Sequence, residues 1–187
     1  MQRVMAKARK RTPARIAPPA TVSRPALLAN GSDAEFRGLI HDLIAYGHRL
    51  DACRDAFAAI AGISGVQYEI LMLVSRADGL SIGEVANRLH RSGAFITIEA
   101  NRLIGRGILE KRSDPADGRR VLLFSNATSA ALLRKLAPYQ VRINDVLFER
   151  LDARRFRELR RLARDLLASG DRAAAMIELL THEARAA

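Results

Sequence analysis

The residues best placed to do chemistry lie in the stretch EKRSDPADGRRVLL, residues 110–123. Lys111, Arg112, Arg119 and Arg120 flank a cluster of turn formers, Asp114, Pro115, Asp117 and Gly118. Cations gathered at the neck of so short a hairpin suit a phosphate backbone. Duplex DNA carries phosphates along both sides of a narrow minor groove, and that groove attracts arginine. Asp117 stands two residues before Arg119, close enough to hold its guanidinium by a charge-assisted hydrogen bond and reduce the entropy lost on binding. An isolated charged hairpin is more often a solvated turn. The elements that precede this one decide between the two readings.

Ser81-x-x-Glu84 is a capping-box pattern opening a short helix, and Ser92 is placed to cap a second that runs to about Arg106, with Gly107 as its C-terminal glycine. At about 100° per residue, Ile96, Ala100, Leu103 and Gly107 turn to one side. Ala94, Ile98, Asn101 and Gly105 turn to the other, with Thr97 and Arg102 flanking. Asn101 suits an adenine edge or a phosphate, and Thr97 a phosphate. The apolar Ala94 and Ile98, with Phe95 at the edge, suit thymine methyl groups. Phe95 and Ile98 have a plainer reading as residues covered by a neighbouring helix. A support helix, a tight turn and an exposed second helix make a helix-turn-helix, and a basic hairpin directly after it reads as a wing.

The rest of the chain frames this unit. Residues 1–31 read as a disordered basic arm: Pro13, Pro18, Pro19, Pro25 and Gly31 interrupt it and no periodicity is sustained. Ser32-x-x-Glu35 then opens a long helix through Phe36, Leu39, Leu43, Leu50 and Phe57 to about Gly62. Ser64-x-x-Gln67 opens another, ending near Asp78-Gly79. Strands are expected over residues 108–112 and 119–124, with helices from Asn126 onward; Gly170 breaks the pattern and Asp171 caps a short final helix. The expected fold is mainly α with a small β-hairpin wing, a winged helix-turn-helix over residues 63–127. Helical dimerisation regions, residues 32–62 and 128–187, lie on either side of it.

Composition agrees with a polyanion-binding protein. The 187 residues carry a formal charge of +11, and seven cations precede the first acidic residue, Asp33. Cys53 is the only cysteine, so no internal disulfide forms, which suits a reducing cytosol. No run approaches the roughly 18 apolar residues of a membrane span, and the N-terminus lacks the apolar core of a secretory signal. A cytoplasmic protein with no membrane partner is expected.

SIGEVANRLHRSGAFITIEANRLIGRGILEKR and DPADGRRVLL together resemble the MarR family of bacterial transcription regulators. The wing pattern, an Asp-x-Arg after an Asp-Pro pair, is Asp117-Gly118-Arg119 here. The resemblance covers residues 33–167 in architecture and is specific in motif between Ser81 and Phe124. It implies a homodimer with interleaved terminal helices and a pseudo-palindromic operator. It also implies that Arg119 enters the minor groove with Asp117 supporting it, and that Ser92, Gly93, Ala94, Phe95 and Thr97 sit in the major groove. Two positions depart from the family: Ser125-Asn126 replaces a usual Leu-Thr pair, and Ile98 stands where an arginine is common, which implies a different operator.

The same resemblance implies a small effector, often aromatic or anionic, such as an aromatic acid or its coenzyme A thioester, whose binding releases the DNA. His41, Tyr46, Arg49 and Tyr68 are candidate liners; each also reads as core, interface or surface. The expected function is therefore a ligand-responsive dimeric transcription regulator, most often a repressor. A non-specific architectural DNA-binder using the basic arm is a second reading, and a regulator sensing oxidation through Cys53 a third. No paired Cys/His metal spacing, glycine-rich phosphate loop or nucleophile elbow is present, so neither an enzyme nor a metal or other cofactor is expected.

Overall fold

A computed structural model describes residues 18–77 and 79–186, in two compact units divided after Ala52. Helices dominate, and the strands form one small antiparallel sheet.

In the N-terminal unit, Pro25–Leu27 form a 3-10 turn and Ala29 bridges Ser32. Asn30 and Gly31 both have positive φ, 51° and 76°, the pattern of a two-residue turn that Asn-Gly adopts readily. The arm expected over residues 1–31 lies outside the described residues up to residue 17; its remaining part holds this turn. Asp33 is buried and its Oδ2 accepts the Thr21 N–H at 2.7 Å and the Thr21 hydroxyl at 2.8 Å. Those bonds, with Arg37 nearby, hold its carboxyl below the ordinary aspartate range. Helix α1, Ala34–Ala61, starts here. The expected Ser32–Glu35 box does not form: Ser32 Oγ accepts the Ala34 N–H at 3.3 Å.

In the second unit, α2 (Gly65–Val74), α3 (Ile82–Leu89) and α4 (Gly93–Gly105) follow, with strand β1 (Leu80–Ser81) before α3. Ser64 with Gln67 and Ser81 with Glu84 close two of the three expected capping boxes, and Ser92 accepts the Phe95 N–H. Each such cap stabilises a helix start by ~1 kcal/mol. Gly107, at φ 67°, turns the chain out of α4 as expected. Strands β2 (Leu109–Ser113) and β3 (Val121–Ser125) pair from Leu109↔Ser125 to Ser113↔Val121. The sheet order is β1-β3-β2, because Leu80 and Ser81 pair with Leu123 and Leu122. That third strand lies outside the two expected from the sequence.

The core lies in this unit, where Ile70, Leu71, Val85, Ile96, Leu103, Leu109, Leu123 and Leu136 are sealed from solvent. Helix α5, Ala127–Leu147, is capped by Asn126, which also donates to the Gly107 carbonyl at 3.0 Å. Helix α6 runs unbroken from Ala153 to Ala186, so the expected break at Gly170 is absent. One helical glycine costs ~1 kcal/mol against alanine, too little to end a helix of strong helix formers. Along its ~50 Å length α6 leaves Phe156, Leu159, Leu162, Leu166 and Ile177 exposed. Among the described residues no single helix is long and apolar enough to cross a membrane.

Candidate nucleic-acid interface

Helix α3, the residues before it, α4 and the β2–β3 hairpin enclose an open cleft of about 510 Å³. Thr97 and Asn101 line it from α4; Lys111, Arg119 and Arg120 line it from the hairpin; Ile82, Ile104 and Val121 form its apolar floor. Sequence spacing places the helix and the hairpin separately. The cleft exists because Leu123 of β3 pairs with Leu80, just ahead of α3, and so brings the hairpin against the helix-turn-helix.

The hairpin's charges divide into held and free. Arg112 Nη2 donates to Glu110 at 3.3 Å, and its guanidinium carbon lies 4.5 Å from the centre of the Phe124 ring. Arg120 stands between Asp114 and Glu84, 3.9 Å from each. Among the described residues the Lys111 and Arg119 side chains have no ion-pair partner.

Asp117 plays a different part from the one its spacing implies. Its Oδ1 accepts the Arg119 backbone N–H at 3.1 Å, and its carbonyl accepts the Arg120 N–H at 2.8 Å. It shapes the turn instead of gripping the Arg119 guanidinium. Asp114 does likewise, accepting the Ala116 N–H at 2.9 Å. A short side chain at the start of a turn reaches the amide two residues on more easily than it reaches a long, solvated guanidinium.

Two residues outside the expected set complete the site. Glu84 accepts from the Ser81 hydroxyl at 2.6 Å and its N–H at 2.8 Å; these bonds, and then the charges of Arg120 and Arg88, hold its carboxyl below the ordinary glutamate range. Its capping role is legible in the sequence, whereas its pairing with the wing depends on the third strand. Glu99 of α4 is buried and receives a hydrogen bond from Gln67 Nε2 at 2.8 Å. Its partner stands 32 residues earlier, so only the fold pairs them.

On α4, Ile96, Ala100 and Leu103 are buried, as the helical wheel requires, whereas Gly107, expected on the same side, lies beyond the helix and is exposed. Ser92, Gly93, Ala94, Thr97, Asn101 and Arg102 are exposed. Phe95 is 39% and Ile98 52% exposed, so among the described residues no neighbouring helix covers either. Thr97 Oγ1 donates to the Gly93 carbonyl at 2.8 Å, which leaves its lone pairs outward.

The candidate effector liners have separate settings. His41, Tyr46 and Arg49 lie on α1 in the N-terminal unit, where Arg49 Nη1 donates to the Ala45 carbonyl at 2.6 Å. Tyr68, on α2, is buried beside Phe57, and its hydroxyl accepts from Gln140 Nε2 at 2.6 Å. Cys53 is partly buried against the core, and the adjacent Arg54 is engaged by Asp55 and Glu69. Among the described residues no group of three or more His, Cys, Asp or Glu is placed to hold a metal ion.

Residues 61–120, which contain α2–α4 and β2, match the model of the MarR family. No curated protein matches the chain in sequence. Among solved structures, Sco3205, a MarR family transcriptional regulator from Streptomyces coelicolor in complex with DNA, is 22% identical with a TM-score of 0.63, over 73% of this chain and 91% of that one. A cysteine-to-serine mutant of MarR from E. coli, complexed with operator DNA, is 21% identical with a TM-score of 0.59, over 73% and 99%. The PcaV transcriptional regulator from Streptomyces coelicolor, in complex with its natural ligand, is 26% identical with a TM-score of 0.52, over 66% and 90%. Residues 61–120 are thus a MarR-family segment, carried in a chain with the winged-helix fold of MarR regulators.

Proposed function

We propose that the protein is a cytoplasmic, homodimeric, DNA-binding transcription regulator that represses from a pseudo-palindromic operator and is released by a small effector. One observation carries the DNA-binding part: Thr97 and Asn101, solvent-facing on α4, and the unpaired cations Lys111 and Arg119 line one cleft. Such a surface offers side chains for base edges beside charges for phosphates. The solved relatives complexed with DNA support the same reading.

Dimerisation is supported by the apolar rows that α5 and α6 leave in solvent: Tyr139, Ile143 and Val146 on one, Phe156, Leu159, Leu162 and Leu166 on the other. An apolar row left in solvent along a helix calls for a partner surface. In this reading residues 32–62 and 128–187 form the dimer, and residues 63–127 bind DNA. Two reading heads related by a two-fold axis then require an operator of matching symmetry.

Release by an effector is supported by the ligand complex of PcaV. An aromatic acid or its coenzyme A thioester is the class to test, with His41, Tyr46 and Arg49 as candidate contacts. Tyr68 is the weakest of the four, since its hydroxyl is already bonded to Gln140.

Selection of bound duplexes from a random pool, with and without aromatic acids and their thioesters, tests the proposal. A two-fold related consensus is expected, with binding weakened by at least one compound. An architectural protein would instead bind selected and random duplexes with equal affinity and equal salt dependence.

A further inference from the structure

Helix α4 carries a carboxylate that faces protein, not solvent. Glu99 is 5% exposed and Gln67 8%. Gln67 Nε2 donates to Glu99 Oε2 at 2.8 Å, and Arg102 Nη1 donates to Glu99 Oε1 in an ion pair. The Arg102 side chain is 62% exposed. On the helix it shares a flank with Phe95, opposite the flank where Thr97 faces the wing. Gln67 is fixed in turn: its Oε1 accepts the Ser64 N–H at 3.2 Å as half of the α2 capping box, which aims its NH₂ at Glu99. A second bond joins the same parts, from Arg106 Nη1 to the Gly62 carbonyl at 2.8 Å. Helix α4 is therefore fastened to residues 62–67 at two points.

A buried carboxylate is a costly way to fill space. The desolvation of an ion pair commonly matches or exceeds its attraction, and an apolar side chain of similar size packs as well or better. Leucine or methionine at position 99 would serve the core. Glu99 supplies what they cannot, a fixed anion behind a solvent-facing guanidinium. A free arginine adds phosphate attraction for any duplex. One pinned at a single nitrogen presents its remaining N–H groups in a set direction, and only acceptors with matching geometry profit.

We propose that Glu99 is a positioning residue for DNA recognition, holding the Arg102 guanidinium in one orientation on the rim of α4, with Gln67 fixing Glu99. The inference rests on the DNA-binding reading above and assigns Arg102 to discrimination between sequences more than to general affinity.

The test compares a duplex enriched by the native protein with a shuffled one, titrated against native, E99Q, R102A and E99Q/R102A proteins whose thermal unfolding is also recorded. E99Q keeps the shape and an acceptor for Gln67 but removes the charge. It is expected to fold and to lose about fivefold or more on the enriched duplex, close to the loss in R102A. Affinity for the shuffled duplex changes little. In the double variant the loss does not exceed that of R102A alone. E99Q binding the enriched duplex as tightly as native protein overturns the proposal, as do equal losses on both duplexes or losses that multiply in the double variant. Should E99Q unfold, Q67M removes the donor to Glu99 without touching the exposed face. The ratio of enriched to shuffled affinity must then fall, and an unchanged ratio overturns the proposal. A native protein that enriches no duplex brings down the DNA-binding reading itself, before any variant is compared.

Discussion

Lys111 and Arg119 are the hairpin cations left for a partner, because Arg112 and Arg120 are held by carboxylates of the protein itself. Arg119→Ala should weaken operator binding by about 1–3 kcal/mol with little change in melting temperature, since the side chain packs against nothing that folding needs. Arg120→Ala should act differently: it frees Glu84 and Asp114 and loosens the wing, so protease sensitivity of the hairpin should rise along with any loss of binding. Glu84 also sets a pH dependence. Its carboxyl is held below the ordinary glutamate range by Ser81 and then by Arg120 and Arg88. The ionised form therefore stabilises the fold above that range, and the contribution disappears as pH falls through the lowered value. Melting temperatures of native protein and Glu84→Gln should differ by a constant amount at neutral pH and converge only below the ordinary range, near 4.5. Convergence near pH 7 would contradict the assignment. The roles of Asp117 and Glu99 show where residue types mislead. Asp-x-Arg spacing implies a side-chain pair, but the backbone amide is the nearer donor. Glu99 falls beside Leu103 on the helical wheel, but its partner Gln67 is supplied only by the fold.

At the scale of elements, most of the reading head is legible in the sequence. Ser64, Ser81, Ser92 and Asn126 all cap helices, since capping depends on residues three apart and needs no tertiary information. The buried and exposed faces of α4 follow from the 3.6-residue period for the same reason. Strand β1 is not legible. Two residues carry no periodicity, and Leu80 and Ser81 become a strand only by pairing with Leu123 and Leu122, about 40 positions later. Without that strand, neither the cleft nor the Arg120–Glu84 approach can be anticipated. The start of α1 and the length of α6 escape local rules because tertiary bonds and helix propensity outweigh them: Asp33 turns back to Thr21, and Gly170 does not end a helix. Two predictions belong to these elements. Ser81→Ala removes both the α3 cap and a donor to Glu84, and should lower stability by ~1–2 kcal/mol in denaturant unfolding. Ile98→Arg places a long cation on an exposed position of α4 and should change the enriched duplex sequence; an identical consensus would place residue 98 outside the interface.

Among the described residues, the buried apolar core belongs to the unit that begins at Cys53, while α6 has no buried side chain and exposes a row of large apolar ones. A helix in that state requires a partner for its apolar face. Leu162→Glu should convert a dimer to a monomer in light scattering and weaken operator binding by removing the second reading head, without altering the selected half-site. Truncation to residue 30 removes Thr21 from the buried Asp33 and should lower stability, an effect that fades once acid protonates Asp33. In the proposed function α4 and the wing form one DNA-reading surface, duplicated in a dimer. The most direct test is the affinity of native and Arg119→Ala protein for a duplex enriched by the native dimer, measured across salt. The expected result is a two-fold related consensus, weaker binding by the variant, and a salt slope smaller by about one for each phosphate that Arg119 neutralises. Equal binding of enriched and random duplexes, unchanged by the substitution, would contradict it.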